Sequence, residues 1–172
     1  MDQKKLEERM TEFQRIIKYR FADSLNLSRA MMAFRVRVNG EGKHHREYSN
    51  DAIATIGDAF LKTVLAQEIF ESYARTKGQI TEFKAPLENN QTMYDLMLKE
   101  GWTKYIFNEK CFYDDDEFKA NEKPPFNKHV QYVEALIGGI LLDSDYETTK
   151  IWILHTLLPL LQKYKHEPKP HN

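Results

Sequence analysis

The chain has 172 residues, enough to bury a core without disulfide or metal staples, and reads as one domain. Its 25 Lys and Arg nearly balance 26 Asp and Glu, which excludes a global basic field and leaves room only for a local nucleic-acid patch. Cys111 is the only cysteine, so an intrachain disulfide and a cysteine-based zinc site are both excluded.

Helical periodicity dominates the pattern along the chain. Leu6, Met10, Phe13, Ile16 and Ile17 recur at three- and four-residue steps and predict a first amphipathic helix. The charged N-terminus does not read as a secretory signal. Ser24 or Asn26 is the expected cap of a second helix that runs to about Phe34. Residues 35–49 read as a loop, with turn chemistry at Asn39-Gly40-Glu41-Gly42 and a basic cluster at Lys43-His44-His45-Arg46. A long helix is predicted over about 50–75, with Ile53, Ile56, Phe60, Leu61, Val64, Leu65 and Ile69 on its buried side and Lys77-Gly78 as its stop. Shorter helices follow at about 80–88 and 92–100, the second ended by Gly101. An aromatic and acidic connector then closes at Pro124-Pro125. Two last helices cover about 127–142 and 146–164, with Pro159 expected to kink the final one. No strand alternation and no repeat interrupts this pattern, so the predicted fold class is all-α. The apolar runs at 135–142 and 151–161 are too short to span a bilayer, and a soluble, cytoplasmic protein is expected, with an organelle as the alternative.

Two segments carry candidate chemistry. In the long helix, Asp51, Ala54 and Asp58 share one face, so two carboxylates flank an alanine in the manner of a magnesium site short of a ligand. Asp51 is equally well explained as an acid that complements a helix N-terminus. In the helix over 127–142, Glu134 interrupts an apolar run, where a carboxylate needs a partner. Asp114-Asp115-Asp116 reads as a solvated acidic turn. No nucleophile triad and no phosphate-cradling glycine loop emerges.

The stretch around Gly57-Asp58 resembles the signature helix of the ribonuclease III family, acidic-Arg-Leu-Glu-Phe-Leu-Gly-Asp. Val133-Glu134-Ala135-Leu136-Ile137-Gly138-Gly139-Ile140-Leu141-Leu142-Asp143 is similar to that family's Val-Glu-Ala-Leu-Ile-Gly-Ala-Ile-Tyr-Leu-Asp run. Weaker matches lie at Leu27-x-x-Ala30 and at Lys77-Gly78-Gln79-Ile80-Thr81. The resemblance spans nearly the whole chain, as one endonuclease-like domain over 1–167 with a short polar tail at 168–172. No double-stranded-RNA-binding domain is expected to follow, as in the Mini-III branch.

The resemblance implies an enzyme class that cuts RNA duplexes with magnesium-activated water held by carboxylates on facing helices. It assigns Asp58 and Glu134 to metal binding and catalysis, with Asp51 as an additional metal ligand at the first acidic position. Three positions depart from the pattern. Ala54 stands where an inner glutamate is expected, Gln131 where an aspartate is expected, and Lys77 where an outer acid is expected. Magnesium or manganese is then expected to bind weakly at most, since ligand charge sets much of the affinity. Lys43, His44 and Arg46 are the expected RNA-binding cluster, gripping duplex phosphates. A homodimer is implied, although Thr55 replaces the phenylalanine that plugs into the partner subunit in the family. Two functions stay open at this point. One is an endoribonuclease with impaired activity. The other is an inactive RNA-binding or scaffolding subunit, including one half of a heterodimer with a complete ribonuclease III subunit.

Overall fold

The computed structural model describes residues 3–31, 50–73, 75–106 and 126–166. Every regular element among them is helical. The order is α1 (Gln3–Ile16), α2 (Ser24–Ala30), α3 (Asp51–Ser72), α4 (Lys77–Lys84), α5 (Asn90–Lys99), a 3₁₀ turn (Trp102–Tyr105), α6 (Phe126–Asp143) and α7 (Tyr146–Trp152). A π turn (Ile153–Leu157) leads into α8 (Leu158–Tyr164). The all-α expectation therefore holds.

The centre of the molecule is α6, on which Val133, Ala135, Leu136, Ile137 and Ile140 are all inaccessible to solvent. It packs against α2, α3, α5 and α7, and its contact with α3 is the most extensive in the fold. The other end of the core is aromatic. Phe13 of α1 stacks on Tyr105 at 4.8 Å between ring centroids and meets Trp102 edge-on at 5.8 Å. Asp143, at the end of α6, fastens the α1–α2 connection. Its carboxylate accepts from Tyr19 Oη (2.9 Å), the Ala22 and Asp23 backbone N–H groups (2.8 and 2.9 Å) and Asn26 Nδ2 (3.1 Å).

Several local expectations are corrected. Asp23, not Ser24 or Asn26, caps α2, its carboxylate accepting from the Leu25 N–H, and the helix ends at Ala30. Asn26 is buried and used against Asp143 instead. Lys77-Gly78 does not stop α3; it opens α4. Thr76 and Gln79 form a reciprocal capping box there, which supplies partners for the free N–H groups of a new helix. Ile16 and Ile56 face outward at 38% and 42% exposure, because each adjoins a residue that holds the inward position (Ile17 and Gly57). Gly101 does end α5, with φ of +68°. Pro159 has no N–H to return to the preceding turn, and the helix widens into the π turn just before it rather than breaking.

Glycine sets the spacing of α3 and α6. A Cβ on Gly57 would lie 1.8 Å from the Glu134 carbonyl oxygen, and one on Gly138 would lie 2.2 Å from the Ile53 carbonyl oxygen. Both clashes are with backbone, so only separation of the helices relieves them. Gly57→Ala is therefore expected to destabilise the protein by about 3 kcal/mol in urea unfolding, at the upper end for overpacked cores. Gly78→Ala, which meets only the Thr76 hydroxyl at 3.9 Å, should stay within about 0.5 kcal/mol of the parent. Equal effects of the two substitutions would contradict this view of the helix contact.

Candidate functional site

The close approach of α3 and α6 also builds the site. Gly57 rests on the backbone of Glu134, so Asp58, the next residue, stands beside Glu134. Asp58 is partly exposed, and its Oδ2 accepts from Lys62 Nζ at 2.7 Å, one turn further along α3. Glu134 is half-buried. Burial first, and the neighbouring Asp58 charge second, push its carboxyl up to about 7, against a smaller opposing effect of Lys62.

The remaining expected ligands are organised differently. Ala54 is 4% exposed and packs with Ala30 and Ala135, a seam of small residues between α2, α3 and α6. Its methyl group thus belongs to the helix packing. Gln131 Nε2 donates to Asn50 Oδ1 at 2.9 Å and also to Asp51 Oδ1. Asn50, itself buried, donates through Nδ2 to the Ala30 carbonyl at 2.9 Å. Asn50, Asp51 and Gln131 consequently form a polar clasp joining the end of α2, the start of α3 and the first half of α6. The amide nitrogen of Gln131, a donor, faces Asp51. A metal ligand would present an oxygen.

The residues singled out from sequence therefore divide. Asp58 and Glu134 come together; Asp51 is drawn to Gln131. Lys77 is exposed in the first turn of α4, and the cation that acts on Glu134 is Lys62. Lys43, His44 and Arg46 lie outside the described residues. Lys62 and Asn50 escaped the sequence reading. An Asp58/Lys62 pair at i and i+4 is a recognisable helical signal, whereas the role of Asn50 depends on contacts 20 and 81 residues away.

The donor set open to a divalent ion is reduced, since Ala54 supplies no ligand atom and Gln131 no charge. Among the described residues, no group of three or more His, Cys, Asp or Glu converges on one point. Of the two carboxylates that meet, Asp58 is engaged by an ammonium and Glu134 is half-buried, and a cation bound there would favour the ionised form of both.

The raised Glu134 carboxyl has a consequence for stability. In the unfolded chain the group ionises near pH 4.5, whereas in the fold it stays protonated to about 7. Between these values the native state binds more protons, so stability falls as pH rises and then levels off. Glu134→Gln is expected to stabilise the protein at pH 8 by about 1 kcal/mol after allowance for partial solvent screening, with little effect at pH 4. Thermal melting at both pH values checks this, and an equal shift at the two would contradict it.

Comparison with known proteins places the arrangement. The family described as the Ribonuclease III domain matches residues 51–145, just over half of the chain and the span that contains both α3 and α6. The Ribonuclease 3 of Pseudoalteromonas translucida (strain TAC 125) is 25% identical over 143 residues, covering 83% of this chain and 57% of the relative. That of Campylobacter jejuni (strain RM1221) is 26% identical over 106 residues, covering 61% of this chain and 45% of the relative. The chain thus spans about half the length of these relatives. Among solved structures, the nuclease domain of ribonuclease III from Campylobacter jejuni, described for flexibility in a region involved in dimer formation, superposes with a TM-score of 0.65 at 21% identity. That match covers 91% of this chain and 96% of the other. Because the family match covers more than half of the chain, the chain belongs to the ribonuclease III family.

Proposed function

We propose that this protein binds double-stranded RNA without cutting it, as an RNA-binding or scaffolding subunit. One observation carries the reading: at the place where the family gathers its carboxylates, only Asp58 and Glu134 meet among the described residues, while Ala54 and Gln131 bring no charge. Loss of two ligand charges weakens a hard-cation site by orders of magnitude. Magnesium or manganese would then be bound weakly if at all.

Duplex affinity does not need the ion. Phosphate contacts by Lys43, His44 and Arg46 would supply it, with the salt dependence such contacts carry. Assembly would use the outward face of α3, where Thr55 and Ile56 are exposed, in a homodimer or in a heterodimer with a complete ribonuclease III subunit. No helix among the described residues is long and apolar enough to cross a membrane, and one cysteine suits a reducing cytoplasm. A second reading, a weak metal-dependent endoribonuclease, draws support from the adjacency of Asp58 and Glu134 across the helix contact.

A labelled RNA duplex separates these readings when incubated with the full chain in magnesium and then manganese, beside Asp58→Asn and Glu134→Gln. The expected result is a gel shift that weakens with salt and with Lys43→Glu, and no cleavage in either metal. Cleavage lost in both site variants would favour the endoribonuclease, and absence of any duplex binding would refute both readings.

A further inference from the structure

Lys62 belongs to no part of the family resemblance, yet it is the charged group most tightly engaged with the acidic pair. It lies four residues beyond Asp58 on the same face of α3, with Nζ 2.7 Å from Asp58 Oδ2. The charges of acids from elsewhere in the chain also reach it. The hydrogen bond to Asp58 raises the ammonium's pKa most, and the charges of Glu88, between α4 and α5, and of Glu134, on α6, add to the effect. Glu88 has a cation of its own, Lys84, at 2.6 Å. One carboxylate, Asp58, thus holds the ammonium directly, and Glu88 and Glu134 act on it only through their charge.

We propose that the Lys62 ammonium is the resident cation of this site, standing beside Asp58 and within reach of the Glu134 charge, where a divalent ion would have to bind. The proposal rests on the reading of the site as one that holds no metal, and it names what neutralises the site instead. The two cations compete by charge. A divalent ion brought to Asp58 meets the repulsion of an ammonium held 2.7 Å from Oδ2, and binding there favours release of Lys62 from the carboxylate. Ala54 and Gln131 bring no charge to pull an ion in against Lys62, and the tethered ammonium has no translational freedom to lose. The lysine and the two lost ligands then belong together. With fewer carboxylates to balance, one positive charge suffices.

Manganese binding tests this without reference to RNA or activity. Mn2+ is titrated into the full chain and followed by electron paramagnetic resonance, for the parent, Lys62→Met and Lys62→Met/Asp58→Asn. Removal of the ammonium should raise Mn2+ affinity about tenfold or more, as expected when a site charge is released, and the gain should vanish in the double variant. The melting temperature of Lys62→Met should rise on addition of manganese while that of the parent stays unchanged. Lys62 is half exposed, so little packing is lost, and Lys62→Gln provides a second variant with the same expectation. Equal Mn2+ affinity in parent and Lys62→Met, or a gain that survives Asp58→Asn, would overturn the proposal. Failure of the RNA-binding reading would show instead in the duplex gel shift, which can be run without manganese.

Discussion

The carbonyl oxygens of Glu134 and Ile53 sit where side chains on Gly57 and Gly138 would begin, and the rest of the molecule is arranged around that double contact. Two helices can approach this closely only where both lack Cβ atoms at the crossing. The contact fixes α3 against α6, and α6 is the helix on which α2, α5 and α7 also pack. The small residues Ala30, Ala54 and Ala135 continue the seam toward α2. One consequence is chemical. Residues adjoining the crossing, Asp58 and Glu134, have no freedom to separate, whatever charge they carry.

Under the proposed function, that constraint lets the site keep its placement without its metal chemistry. The backbone contact depends on glycine, not on a bound ion, so ligand positions can change without loss of the helix packing. Ala54 has become part of the packing, and Gln131 part of a clasp that ties Asn50 and Asp51 to α6. The acidic pair that stays is a liability, because a half-buried Glu134 beside Asp58 favours its protonated form. An ammonium from the same helix reduces that liability, and Lys62 is placed to supply it. A fold shared with a ribonuclease III nuclease domain thus carries two uncharged residues, Ala54 and Gln131, beside the acidic pair.

Much of this was legible in the sequence. The all-α class followed from the 3.6-residue period. The acids at 58 and 134 stood out because a carboxylate in an apolar helix needs a reason. What remained hidden was relational. The reading of Lys77-Gly78 as a stop failed because the capping box of Thr76 and Gln79 decides the next helix start, and capping depends on which residues lie on each side. Asn50 read as a helix-start residue, yet its side chain bridges α2 and α6, a role visible only once three segments meet. Gln131 read as a neutral substitute for an acid, and its actual direction of hydrogen bonding, donor toward Asp51, could not be read from spacing. Ile56 was assigned to the buried side of the long helix, and that position belongs to its neighbour Gly57.

The most direct measurement is anomalous diffraction from crystals of the full chain soaked in manganese, with data collected near the manganese absorption edge. If the site is closed to metal, the map will show no anomalous peak at Asp58 and Glu134, with the Lys62 ammonium density against Asp58. A peak coordinated by both carboxylates, with Lys62 displaced, would contradict that account and restore the metal-dependent reading of the site.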